Sequence, residues 1–137
     1  MRKKTPEQIC PCGSGIDYAR CCGRFIDGGG AAPDAVTLMK SRYTAYVRAA
    51  QAYLLATWHP TTRPAELDLV TTSQPKWLGL SVLGQQVHDP DHASVEFVAR
   101  YKISGRAARL HETSRFVREH GRWFYLDGEV RDTGSGA

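Results

Sequence analysis

No stretch of this chain is apolar over the about 18 residues that a bilayer-spanning helix requires, and the beginning lacks such a run as well. "MRKKTPEQ" is basic, but Cys10, Gly13 and Asp17 follow where a secretory signal would continue with apolar residues. The expectation is a soluble, cytoplasmic protein with no membrane partner. Also missing are a Gly-rich phosphate loop ending in Lys-Ser/Thr and a dinucleotide fingerprint, so neither P-loop nor nicotinamide chemistry has its sequence signature here. No repeat and no low-complexity block occurs. Charge of one sign is scarce: a net +4 and a pI near 9.0 are spread along the chain, which gives nucleic-acid binding only weak support.

Cysteine is absent from all but one segment. The four thiols lie in "CPCGSGIDYARCCG", as Cys10, Cys12, Cys21 and Cys22. In a reducing compartment, clustered cysteines are metal ligands or redox groups more often than structural disulfides. Four thiolates so close in sequence match the tetrahedral four-sulfur demand of structural zinc, with sulfurs about 2.3 Å from the metal. Pro11 stiffens the first pair, and Gly13, Ser14 and Gly15 let the backbone turn tightly. A disulfide between the neighbours Cys21 and Cys22 has poor geometry. The expectation is one zinc per chain on these four residues; iron suits the same donors, and redox chemistry is the alternative use.

Composition changes at "DGGGAAPD", which reads as a connector. The domains expected are a cysteine module over residues 1–27, a Gly-rich connector over 28–33, an α+β domain over 34–130 and a disordered tail over 131–137. Asp34 is placed to cap a helical run in which Val36, Met39, Tyr43, Tyr46, Val47, Ala50, Tyr53 and Leu54 recur at three- and four-residue steps. The run is one helix, or two with a bend near Ala49, and ends around Trp58 because Pro60 disfavours helical geometry at His59. "AELDLVTT" is ambiguous and could form a further helical turn. From Lys76 the period changes to two: Val95, Phe97, Ala99, Tyr101 and Ile103 alternate with polar residues, "RLHETSRFVRE" alternates again, and "RWFYLDG" is a short aromatic strand. Ser104-Gly105 and His120-Gly121 are expected hairpin turns. Helices followed by an antiparallel meander make an α+β fold with the helices on one face of the sheet.

The segment with Cys10, Cys12, Gly13, Ser14, Gly15, Tyr18, Cys21 and Cys22 resembles the SEC-C motif, the small zinc-binding tail of the bacterial preprotein translocase ATPase. "APDAVTLMKSRYTAYV", "TWHPTTRP", "VEFVARY", "SRFVRE" and "GRWFYLDG" extend the likeness to the YchJ-like family over essentially the whole chain. The resemblance implies a SEC-C module followed by a nuclear transport factor 2-like domain, a cone-like curved antiparallel sheet packed on N-terminal helices. It also implies docking to a protein partner of the chaperone or ribosome type. Arg2, Lys3, Lys4, Arg20 and Arg24 would give the module a cationic surface for such a partner. Some relatives of this kind carry a second SEC-C copy; "TGSGA" in this sequence has none of its cysteines.

A cone would have its mouth near "TWHPTTRP", which makes Trp58, His59 and Arg63 pocket candidates. His59 is a general base or, more blandly, a C-terminal helix cap. Glu112 shares an alternating face with apolar residues and needs a partner if buried; Arg100 or Arg63 is the expected one, and an ion pair at the sheet edge is the plainer reading. Arg42 and Arg115 either snorkel to solvent or bind an anion. No nucleophile, base and orienting acid follow from spacing, so the expected function is a zinc-containing adaptor or binding protein. The alternative is an enzyme or small-ligand carrier using the cavity of the cone.

Overall fold

The structure, a computed structural model, describes residues 9–67 and 75–135. A 3-10 turn over Tyr18–Arg20 and the one-turn helix α1 (Gly23–Ile26) close the cysteine segment. The main helix α2 (Ala35–Val47) and the short α3 (Gln51–Ala56) follow. Four strands complete the chain: β1 (Lys76–Asp89), β2 (His92–Ile103), β3 (Arg106–Glu119) and β4 (Arg122–Ser135). They form one antiparallel sheet in the order β1-β2-β3-β4. Of the ambiguous "AELDLVTT", residues 65–67 are irregular, and the rest lies outside the described residues.

Asp34 caps α2 as its position implies: its backbone is extended and its Oδ1 accepts from the Thr37 N–H at 2.8 Å. The helix stops at Val47 because Ala49 takes a positive φ of 56°, and α3 starts two residues later. The bend near Ala49 is therefore a true break. Ser104 and Gly105, at φ 51° and 77°, and His120 and Gly121, at φ 54° and 76°, form the two turns read from sequence. Positive φ at both central residues matches the right-handed twist of the strands they join. Register shifts in β1 against β2 and in β3 against β4 mark bulges, where a strand bends and twists more strongly.

The core lies between α2 and the sheet. Val95, Phe97 and Ala99 of β2 and Phe116 of β3 pack against Leu38, Met39 and Tyr43 of α2. Full burial of a Val, Leu or Phe side chain contributes about 1.5–3 kcal/mol relative to exposure. Ile103, on the same alternating face, is 38% exposed because β2 runs on past the helices that cover its middle. Among the described residues no helix is long and apolar enough to cross a membrane.

Two expectations are corrected. Of the tail expected to be disordered, residues 131–135 instead end the 14-residue β4, paired along β3 from His111–Asp132 to Ala108–Ser135, and residues 136–137 lie outside the described residues. Asp, Gly and Ser are weak strand formers, so local propensity hid an element that the open backbone groups of β3 complete. Nor is the connector a bare spacer: Ala32 is buried with the main core. The α2 helix is consequently covered on more than one side. Ser41 and Thr44 are both 0% exposed, although an amphipathic helix would turn such positions to water.

Candidate functional site

The cysteine module is a backbone knuckle. Gly13 and Gly15 hold φ of 91° and 76°, which side-chain-bearing residues rarely adopt, and Cys10 N–H donates to Ile16 O at 2.8 Å to close the turn. The 3-10 turn brings Cys21 back, with its N–H on Tyr18 O at 3.0 Å. Cys22 starts α1 through Phe25 N–H and Ile26 N–H, each 3.0 Å from its carbonyl. All four sulfurs then lie within 4.8 Å of one another. Cys10, Cys12 and Cys22 are buried, Cys21 is partly exposed, and none is in a disulfide.

This arrangement fits a tetrahedral metal. Metal–sulfur bonds of about 2.3 Å put the sulfurs about 3.8 Å apart, and Cys12 Sγ lies 3.6 Å from Cys21 Sγ. The sulfurs also compete for protons. Hydrogen bonds from Cys12 and Cys22 pull the Cys10 thiol below the usual range, while hydrogen bonding to Cys10 and burial push Cys12 and Cys22 above it. One cation at the centre would let all four ionise. Four thiolates leave no open coordination position, which is the pattern of a structural site.

Further side chains support this centre, and the motif named Ser14 and Tyr18 among them but not Thr44 or Arg48. Thr44 Oγ1 donates to Cys22 Sγ at 3.3 Å and lies 3.6 Å from Cys10 Sγ. Ser14 Oγ lies 3.2 Å from Cys21 Sγ and accepts from the Ile16 N–H at 3.2 Å. The Arg48 guanidinium stacks 3.8 Å above the ring centroid of Tyr18, tying the module to the end of α2. Thr44 and Arg48 had no local signal: they lie over 20 residues from Cys22 and enter through the docking of α2.

A cavity of about 170 Å³ lies between α2 and the sheet. Rings of Tyr43, Tyr46, Trp77, Phe97 and Tyr125 form much of its wall. Its charged groups are Arg42 and Glu112. Arg42 is 5% exposed, donates through Nη1 to Leu54 O at 2.8 Å and Thr57 Oγ1 at 2.7 Å, and packs over the rings of Trp58 and Tyr125. It neither snorkels nor reaches solvent. Glu112 Oε2 accepts from Ser114 Oγ at 2.6 Å, and its carboxylate occupies the space over Gly128 that any Cβ there would invade. Burial, reinforced by the Glu112 charge, raises the Tyr125 phenol to about 12.

Of the pocket candidates, Glu112 alone lines this cavity. Trp58 lies behind it, edge-on to Tyr125 with centroids 5.0 Å apart. His59 is bonded on both ring nitrogens, to Glu119 Oε2 at 2.9 Å and Thr61 Oγ1 at 2.7 Å. The His59 N–H donates to Tyr125 O and the Tyr125 N–H to Thr57 O, so the expected mouth loop is fastened to β4. Arg63 Nε donates to Trp58 O at 3.0 Å. Arg100 donates to Ser81 Oγ at 3.0 Å and projects from the face of β2 opposite Phe97 and Ala99. The sequence expectation that Arg100 or Arg63 partners Glu112 is therefore corrected: Ser114 does, and Arg42 supplies the cation within the cavity. Arg115 forms a two-bond pair with Asp127 on the outer face. The sequence marked Arg42 as snorkelling or anion-binding but did not place it in the cavity, because a charged residue in a helical pattern is normally assigned to the wet side.

The profile of the YchJ middle NTF2-like domain matches residues 34–128, and that of the SEC-C motif matches residues 8–24. A UPF0225 protein of Xanthomonas oryzae pv. oryzae is 54% identical over 128 residues, which span 93% of this chain and 98% of that one. A UPF0225 protein of Methylibium petroleiphilum is 56% identical over 121 residues, 88% of each chain. The solution structure of a SEC-C motif containing protein from Rhodopseudomonas palustris superposes with a TM-score of 0.79 at 33% identity, over 90% of this chain and 98% of that one. The crystal structure of a SEC-C motif containing protein from Psychrobacter arcticus gives 0.74 at 27% identity, over 91% and 84%.

Proposed function

This chain belongs to the YchJ-like family, a SEC-C motif followed by an NTF2-like domain, and on that footing we propose that it is a cytoplasmic binding protein whose zinc-held module docks on a protein partner. The observation that carries the reading is the set of four sulfurs within 4.8 Å, with no ligand position left for substrate. A closed site of this kind gives rigidity, and a rigid knuckle is useful through the surface it presents. That surface includes Ile16, 46% exposed, and the exposed Arg20, an apolar and cationic pair suited to an acidic partner of the chaperone or ribosome type. Arg24 does not join it freely, because its Nε donates to Cys21 O at 2.9 Å.

Metal analysis of the full chain, purified without chelator, tests the first half: one zinc per chain and no iron absorption in the visible are expected. Arg20→Glu tests the second. It should retain zinc and lose the partner captured by the wild-type chain; undiminished capture would remove the module from the contact.

The cavity supports a second role, as a small-ligand site. Its lining residues include no cysteine, histidine or lysine, and Glu112 is their only carboxylate. Binding is therefore the role it supports, with catalysis the outcome if steady turnover of a substrate is found and disappears in Glu112→Gln.

A further inference from the structure

Arg42 and Glu112 line one cavity, yet they form no ion pair with each other. Each is held elsewhere. Arg42 is anchored by the end of α3, through Leu54 O and Thr57 Oγ1 at 2.8 and 2.7 Å. Glu112 is anchored by Ser114 Oγ at 2.6 Å and rests in the space left by Gly128. The Oε1 of Glu112 receives no donor among the described residues. Two opposite charges kept apart across an aromatic-walled space set up a fixed field that a dipolar molecule can complete.

Resting on the reading of the cavity as a ligand site, we propose that it binds a small, neutral, planar molecule carrying an N–H donor next to a carbonyl acceptor, a lactam or primary aromatic amide. The N–H donates to Glu112 Oε1, and the carbonyl end faces Arg42. Size, shape and charge each narrow the class. A cavity of about 150 Å³ accommodates benzene, so about 170 Å³ holds one ring with a small substituent. The walls are flat rings, with Tyr43 edge-on to Trp77 at 5.7 Å and Phe116 edge-on to Tyr125 at 5.9 Å, which favours a flat guest. The charges of Arg42 and Glu112 sum to zero. A charged ligand would leave a net charge in the aromatic-walled space, and a purely apolar one would leave the Oε1 of Glu112 without a donor.

The test is calorimetric titration of the full-length chain, as purified, with nicotinamide and 2-pyridone, and with benzylamine, benzoate, phenylalanine and toluene as controls of other charge and polarity. Both amides should bind at least tenfold more tightly than every control, with quenching of Trp77 fluorescence. Glu112→Gln should weaken the amides at least tenfold and strengthen benzoate, because Arg42 then stands uncompensated; a merely structural Glu112 would weaken all ligands together. Gly128→Ala, checked for folding by near-ultraviolet circular dichroism, should weaken the amides by displacing the carboxylate. Tighter binding of benzylamine, benzoate or phenylalanine would overturn the charge argument, and equal binding of toluene the polar one, while leaving a ligand site in place. If no probe binds, the ligand-site reading falls with the proposal.

Discussion

The hydroxyl of Thr44, in the last turn of α2, donates a hydrogen bond to the sulfur of Cys22 at 3.3 Å and lies 3.6 Å from that of Cys10. The cysteine module and the main domain therefore share a polar contact at a position that is completely buried. Groups that bond to metal ligands orient them and stabilise their charged form, and losing one costs about 10–100-fold in metal affinity. Thr44→Val, nearly the same shape without the hydroxyl, is expected to weaken zinc binding by about that factor. Competition with a chromophoric chelator measures it, and Thr44→Ser should recover most of the loss.

Removal of the metal should loosen the module first. Binding energy in small zinc modules is largely folding energy, about 10–16 kcal/mol apparent in peptides near neutral pH. Chelation is expected to raise hydrogen exchange over residues 9–26 and, through Thr44 and Arg48, along the exposed end of α2, while β2 and β3 stay protected. Deleting residues 1–30 should leave the sheet domain cooperatively folded but with a lower melting temperature, since Thr44 loses its partners and Tyr18 no longer stacks under Arg48. An unchanged melting temperature would mean that the docking contributes nothing.

The alkaline limit of stability should depend on Tyr125. Burial, then the Glu112 charge, raise this phenol from 10.0 to about 12, so the native state keeps a proton that the unfolded chain releases near pH 10. The native state thus binds more protons between those values, and stability falls as pH rises from about 10 towards about 12. The loss is on the order of 2 kcal/mol once partial solvent screening is allowed for. Urea unfolding across this range should show a shallower decline in Tyr125→Phe.

Arg42→Met keeps a long apolar stem but removes the donor to Leu54 O and Thr57 Oγ1 and the charge facing Glu112. Each buried group left unsatisfied costs about 1–3 kcal/mol. Thermal unfolding is expected to show a loss within that span, largely recovered in Arg42→Met combined with Glu112→Gln if the two charges are coupled. Additive losses would mean that they are not.

The cysteine cluster was legible because its chemistry is local. Four thiols and two turn-forming glycines within one short segment specify a knuckle wherever that segment sits, and the same holds for the Asp34 cap and the Ser104-Gly105 and His120-Gly121 turns. Period-two alternation likewise placed Val95, Phe97 and Ala99 on the covered face of β2. What remained hidden depended on residues distant in sequence. The strand character of residues 131–135 comes from the open edge of β3, against the weak propensity of the segment itself. The burial of Ser41, Arg42 and Thr44 comes from packing on more than one side of α2, which no helical period can reveal. His59, Arg63 and Arg100 carried the right chemistry but the wrong address: β4, Trp58 O and the outer face of β2 claim them. Sequence alone determined which residues could hold a metal and which pattern forms each strand, because both are encoded in near neighbours. Only the tertiary structure decided which charge faces Glu112, because long-range packing selects Arg42 from the candidate arginines and anchors it away from the carboxylate.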